Sequence, residues 1–408
     1  MKNILYITLL FFAFTACKKD FNKNQTVING KLRVDNLSFT DTASQFGVYI
    51  QKAYDSESPG ASDTEQNLVD SVQLIIDSVY GAKNIRMEIN HTSWGSATQR
   101  GNFLTMFKNL WKKGFAPALN IKWNTSGVKT YFADSISYKN FVSEVLDSIS
   151  NRSDAGQHMI PGIVVVENEE TNPGYYINNN ETEFDKYIGM LRQAAIVCHG
   201  KSTPVPVTNG GLVCLLSAEL TWDWLKTTYD TSVANTWARK VFTASTVTQL
   251  NTGVRDSDII LGKYLVSAYK TINYLSYINI HWYEPVIARY WPEGGVSPYD
   301  APYNNSPDAI IAGGIDSVVR YFNTAAANLK VITNETGQLT YSNTLTNKMI
   351  NKYVSLYNKN GNFPIAIWYD GDADYTQVIS GSKALHNTLS TTSYSLRSSG
   401  TKFKQKMH

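Results

Sequence analysis

Apolar residues along this chain follow two alternating rhythms. The first is a set of short runs. Ile163-Val-Val-Val166 follows Gly162 and ends in Glu167-Asn-Glu-Glu170. Four consecutive apolar residues are too few for a helix and read as a strand buried on both faces. Similar runs are Phe46-Gly-Val-Tyr-Ile50, Asn84-Ile-Arg-Met-Glu-Ile-Asn90, Pro117 to Trp123, Tyr277-Ile-Asn-Ile-His-Trp-Tyr283, Val331-Ile-Thr-Asn-Glu335 and Pro364-Ile-Ala-Ile-Trp-Tyr369. Pro206 to Val213 is a weaker strand, interrupted by Gly210-Gly211.

The second rhythm is helical. Ser62-Asp-Thr-Glu65 is a capping box, and Leu68, Val69, Val72, Ile75, Ile76 and Val79 follow it at helix spacing. A helix is predicted from about Gln99 to Lys113. Others carry Tyr138, Phe141, Val142, Val145, Leu146 and Ile149, or Phe184, Tyr187, Ile188, Leu191, Ala195 and Cys198. Ser306-Pro307 reads as cap and first helical residue, ahead of Ile311, Ile315, Val318, Val319 and Phe322. Leu345, Met349, Ile350, Tyr353 and Val354 mark a further helix, and the polar tail has room for a last one. The connector from Cys214 to Leu275 is long, with at least two helical stretches, and a loop rich in Pro, Gly, Tyr and Asn runs from Glu284 to Asn305.

Eight strands alternating with helices predict an α/β fold, a (β/α)8 barrel in a single domain over residues 33–408. The competing architecture is a doubly wound open sheet. No Gly-rich phosphate turn follows the first strand, which argues against nucleotide binding.

Composition agrees with a globular body: 408 residues, 43% hydrophobic and 17% charged. A net charge of +3 is too small to argue for nucleic acid or an anionic membrane face. The first residues differ from the rest. Lys2 precedes an apolar run, Ile4 to Phe14, that is short for a bilayer span, and Phe14-Thr-Ala-Cys17 follows. Lys18 to Thr26 is polar, as a tether would be. Cys198 and Cys214 are left in the body; export would permit a disulfide, but Cys198 falls on an apolar helix face, which favours a free buried thiol.

Two Asn-Glu pairs, Asn168-Glu169 and Asn334-Glu335, each close an apolar strand. Barrel enzymes place their chemistry at the C-terminal ends of the strands. Glycosidic cleavage needs a proton donor for the leaving oxygen and a second carboxylate at the oxocarbenium-like centre. Glutamates on the fourth and seventh strands would face each other across the barrel mouth, and a separation of about 5 Å suits retention. Glu167 points the same way as Glu169 and is either a negative neighbour that favours a protonated acid or a member of a buried ion pair. Arg86 shares a face with Glu88 and Asn90, so it serves either a catalytic carboxylate or a salt bridge to Glu88. His281 and Tyr283 share a face of the sixth strand. Trp94, Trp123, Trp291, Trp368, Tyr175 and Tyr176 lie where rings either stack on sugars or fill the core, and Trp368 is the preferred platform.

The order Asn-Glu at strand four, His-x-Tyr at strand six, Glu at strand seven and Trp at strand eight resembles the clan-A glycoside hydrolases. These are retaining (β/α)8 enzymes that include cellulases and mannanases. Ile85-Arg-Met-Glu-Ile-Asn-His-Thr-Ser-Trp94 is similar to the Arg-bearing second strand of cellulase-type members. The resemblance implies Glu169 as acid/base and Glu335 as nucleophile. It implies Arg86, Asn168, His281 and Tyr283 as residues that orient or bind substrate, and Trp368 as the sugar platform. The cellulase-type histidine at the end of strand three is replaced by Lys122-Trp-Asn124, which leaves the sugar and the exact family open.

The leader resembles a bacterial lipoprotein signal, with Phe14 in place of the usual leucine. It implies a signal peptide over residues 1–16, lipidation of Cys17, a tether over residues 17–32, and anchoring to the outer membrane. An ordinary signal peptide is the alternative. The implied partners are a carbohydrate substrate, a membrane reached only through the lipid, and other polysaccharide-utilisation proteins; no cofactor or metal is expected. Asp370-Gly-Asp-Ala-Asp374 begins like a calcium loop but lacks the glycine and glutamate that complete one. A non-catalytic glycan-binding lipoprotein on a degenerate barrel is the second reading, and an unrelated barrel lyase the third.

Overall fold

The structure is a computed structural model. It describes residues 46–49, 84–123, 131–152, 157–171, 175–176, 181–212, 264–282, 319, 322, 324, 329–337, 343–360, 364–368, 372–373, 386–390, 393–396 and 398–406. Eight strands form a closed parallel barrel in chain order. They are β1 (Phe46–Val48), β2 (Asn84–Asn90), β3 (Ala116–Lys122), β4 (Ile163–Val166), β5 (Val207–Asn209), β6 (Tyr277–Trp282), β7 (Lys330–Thr336) and β8 (Ala366–Trp368). β8 closes on β1 with Val48 beside Trp368. Every barrel strand lies where the apolar runs predict it, and the open doubly wound sheet is excluded.

Alternation along the strands separates two cores. Ile163 and Val165 of β4 join Tyr49, Ala118, Tyr277, Ile332, Ile365 and Ile367 in one apolar cluster, the barrel interior. Val164 and Val166 point the other way and pack with helix residues in the larger cluster. The helices α1 (His91–Gly95), α2 (Ala97–Lys112), α3 (Ser135–Ser150), α4 (Glu181–His199) and α5 (Asn343–Asn360) cover that outer face. In α3, Tyr138, Phe141, Val142, Val145, Leu146 and Ile149 are buried, as their spacing predicts. Each fully buried side chain of this size contributes about 1.5–3 kcal/mol, so this one stripe outweighs any single polar contact of the helix.

Caps set where the helices begin. Asn90 accepts a hydrogen bond from the Ser93 backbone N–H at 2.9 Å and starts α1, a short helix that the apolar pattern does not reveal. Ser96 caps α2, so that helix begins at Ala97, ahead of the expected Gln99. Asp134 caps α3 through the backbone N–H groups of Ile136 and Ser137. Hydrogen bonds from Ser137 hold its exposed carboxyl below the usual range.

The tail holds β9 (Asp372–Ala373), β10 (His386–Ser390) and β11 (Ser393–Leu396) in a small sheet, then α6 (Ser398–Lys406). The final helix is expected from the sequence. The sheet is not, because its strands are short and mostly polar, and only β11, Ser393-Tyr-Ser-Leu396, alternates. Cys198 is a free, buried thiol, pushed up to about 12 by burial. The capping-box helix after Ser62, residues 214–263 of the connector, the Glu284–Asn305 loop, the Ser306-Pro307 start of the following helix and the N-terminal leader lie outside the described residues. Among the described residues no helix is long and apolar enough to cross a membrane.

Candidate active site

Above the apolar cluster the strands turn polar. Arg86 and Glu88 of β2, Asn120 and Lys122 of β3, Asn209 of β5, Asn279 and His281 of β6, and Asn334 and Glu335 of β7 are all buried, with Glu167, Asn168 and Glu169 beyond β4. So dense a buried polar layer is tolerable only if its members satisfy one another.

Arg86 donates through Nη1 to Glu335 Oε2 and through Nη2 to Asn168 Oδ1, the latter at 2.6 Å. Arg86 thus pairs with Glu335 rather than with Glu88. Glu88 pairs instead with Lys122 Nζ at 2.9 Å. His281 Nδ1 lies 3.0 Å from Glu169 Oε1 and 3.6 Å from Glu335 Oε2. One carboxylate oxygen of each glutamate and a ring nitrogen of His281 lie within 4.8 Å of one another.

Three backbone irregularities build this geometry. Between Asn279 and His281 β6 advances two residues, whereas β7 advances three, from Ile332 to Glu335. The extra residue is a β-bulge. It lets Asn334 and Glu335, adjacent in sequence, both reach the interior. Beyond β4, Glu167 and Glu169 have φ of 66° and 49°. The left-handed region is costly for residues with a Cβ, and hydrogen bonds hold the turn. The Glu169 backbone N–H donates to Gly210 O at 3.3 Å, and the Trp123 backbone N–H to Glu167 Oε1 at 2.7 Å. The third is Gly210-Gly211. A Cβ on Gly210 would lie 2.8 Å from Val166 O, so glycine is what lets the β4 turn pass.

Burial dominates the electrostatics. It pushes Glu167 from 4.5 to about 7, against the opposing hydrogen bond from Trp123 and the charge of Lys122. The Tyr176 hydroxyl lies 3.1 Å from both Glu167 Oε2 and Asn168 O, with one hydrogen to give. A neutral Glu167 makes both contacts hydrogen bonds. Glu170 is also raised to about 7 by burial, despite hydrogen bonds from Tyr269 and Asn209. For His281, burial opposes the charged form, but the charge of Glu335 and the contact with Glu169 outweigh it. Its pKa is raised.

The structure thus brings Arg86, Asn168, Glu169, His281 and Glu335 into one cluster. It does not bring Trp368 there. That residue is fully buried in the outer core, 6.2 Å from the Phe403 ring of α6. Strand parity turns it away from the interior that Ile367 faces, so its ring has no open face for a sugar. Tyr283, Trp291 and Cys17 lie outside the described residues. Trp94 packs on Phe103 and Phe141, Tyr176 stacks on Phe132, and Trp123 stacks on His91 at 3.9 Å; Tyr175 is half-buried against the core. Sequence reasoning missed Asn120, Asn209, Asn279 and Glu170. Polar residues inside otherwise apolar strands were the available signal.

Glu169, His281 and Glu335 are the set among the described residues that could hold a metal ion. Arg86 already supplies Glu335 with a fixed positive charge, and a divalent cation would have to sit beside it. The donor set therefore fits a metal poorly.

No family model and no curated protein matches the sequence. Solved structures do match the fold. An exo-β-1,4-mannosidase from Opitutaceae bacterium strain TAV5 superposes with a TM-score of 0.54 at 11% identity, over 89% of this chain and 59% of that one. The catalytic domain of CelCCA gives 0.51 at 12% identity, over 88% and 90%. A family 1 β-glucosidase from Thermotoga maritima gives 0.50 at 11% identity, over 89% and 97%. The chain has the (β/α)8 barrel fold that these glycoside hydrolases share.

Proposed function

We propose that the protein is a retaining glycoside hydrolase that cleaves β-glycosidic bonds of a polysaccharide or oligosaccharide. The observation that carries this is the approach of Glu169 and Glu335 to within 4.8 Å. Retaining pairs sit about 5–5.5 Å apart, whereas inverting pairs leave about 6.5–9.5 Å for a water.

In the first step Glu169 gives a proton to the glycosidic oxygen while a Glu335 oxygen attacks the anomeric carbon. The bond to the leaving group breaks and a glycosyl ester forms. In the second step the Glu169 carboxylate takes a proton from water, the water oxygen bonds to the anomeric carbon, and Glu335 departs. Arg86 suits Glu335 to the nucleophile's part, because a guanidinium favours the anion. Asn168 accepts from Arg86 through Oδ1, which leaves its Nδ2 group to donate to a sugar hydroxyl. His281 orients Glu169.

The test is a panel of aryl glycosides and polysaccharides read by reducing-end detection, with the anomer of the first product followed by NMR. Retention at a β-linkage is expected. Inversion, or binding of a polysaccharide without cleavage across the panel, overturns the reading.

We also propose export as a lipoprotein through Cys17, with the barrel tethered to the outer membrane. The apolar run Ile4 to Phe14 ahead of Thr15-Ala-Cys17 supports it.

A further inference from the structure

We propose that Asn334 is a positioning residue that assigns the ring protons of His281. It holds a hydrogen on Nε2 and leaves Nδ1, the nitrogen facing Glu169, as the one that gains and loses a proton. Only the catalytic consequence of this rests on the glycosidase reading.

A ladder of asparagines crosses the barrel: backbone groups of unambiguous role orient Asn209, Asn279 and Asn120, and the last two orient Asn334. The Asn279 backbone N–H donates to Asn209 Oδ1 at 2.7 Å. The Asn334 backbone N–H donates to Asn279 Oδ1 at 3.0 Å, which turns Asn279 Nδ2 toward Asn209 O and Asn334 Oδ1. From the other side, Asn120 Nδ2 donates to the Glu167 carbonyl at 3.2 Å, so its Oδ1 is the acceptor for Asn334 Nδ2 at 3.0 Å. Asn334 is therefore oriented from both ends. Its Oδ1 lies 2.9 Å from His281 Nε2 and can only accept, so Nε2 carries a hydrogen.

Neutral His281 then has its lone pair on Nδ1, 3.0 Å from Glu169 Oε1, and that contact needs a proton from the carboxyl. Charged His281 donates from Nδ1 to Oε1 and confines an acidic proton of Glu169 to its other oxygen. The ring thus decides which oxygen of Glu169 is the acid. Around the ring, the charged groups among the described residues are Glu169 and Glu170 beyond β4, Glu335 of β7 and Arg86 of β2.

The test uses the full chain labelled with 15N-histidine, with ring nitrogens followed by long-range proton–nitrogen correlation. His281→Gln assigns the signals. Nε2 should stay protonated at every pH while Nδ1 alone switches. A neutral ring protonated on Nδ1 overturns the proposal. Asn334→Asp keeps an accepting oxygen and adds a charge, so Nδ1 should hold its proton about one pH unit higher or more. Asn334→Leu removes the acceptor and should let both neutral tautomers appear. An unmoved Nδ1 titration in folded Asn334→Asp also overturns it, because a carboxylate in contact with Nε2–H must favour the charged ring. If neither variant folds, the wild-type spectrum still decides. With a substrate in hand, the alkaline limb of kcat/KM should move upward in Asn334→Asp alongside the ring titration. The ring measurement needs no substrate, so an inactive protein with the expected tautomer removes the glycosidase reading and leaves this one standing.

Discussion

Gly211 lies so close to His281 that a Cβ on it would fall 2.2 Å from the ring Nε2. Its φ of +115° is also one that side-chain-bearing residues rarely adopt. Gly211→Ala should therefore push the imidazole off Glu169 and strain the backbone. A displacement of about 1 Å in a catalytic group costs on the order of 10²-fold in rate. The backbone strain should cost about 1–3 kcal/mol. Turnover and a thermal melt measure the two effects, and a variant equal to wild type in both would refute the packing argument.

The two glutamates should separate by role. Glu335→Gln should abolish turnover of every substrate, because no glycosyl ester can form. Glu169→Ala should slow unactivated substrates by roughly 10²–10⁴-fold. It should spare the first step of activated aryl glycosides, and added azide should restore their turnover with a β-azide product. Equal loss on all substrates with no azide effect would remove Glu169 from the acid/base role.

Stability should fall as pH rises from about 4.5 to about 7. Glu167 and Glu170 are raised from 4.5 to about 7 in the folded protein, chiefly by burial. The folded state then binds more protons than the unfolded chain across that window, which makes the slope negative. Each shift corresponds to roughly 3 kcal/mol. His281 acts in the same sense: its raised pKa contributes stability at low pH that is lost as pH rises through it. Denaturant midpoints at about pH 5 and about pH 8 measure the difference, and Glu170→Gln should shrink it. A protein that gains stability over this range would contradict the buried neutral carboxyls.

Cys17→Ser should release the protein from membranes when the chain is expressed in a bacterium. Fractionation measures this, and an equally membrane-bound variant would rule out the lipid anchor.

The sequence by itself determined the barrel. Strand and helix rhythms depend on local alternation, and Ile163 to Val166 or the α3 stripe are legible because burial of a strand or helix face leaves a periodic trace. Of the five clustered residues, Asn168, Glu169, His281 and Glu335 were also legible as polar groups at strand ends, and Arg86 as a charged residue inside β2. Tertiary structure alone decided what they do to one another. The β7 bulge brings Asn334 and Glu335 to the same side, the left-handed turn at Glu167 and Glu169 aims the β4 carboxyls, and Gly211 clears the space for His281. None of these leaves a periodic signature, since each is a one-residue departure held by partners far away in the chain. Trp368 shows the converse. Its place at a strand end suggested a platform, but parity turned it into the outer core against Phe403. A strand's facing direction is set by its register with its neighbours, and a three-residue apolar strand carries too few positions to reveal it.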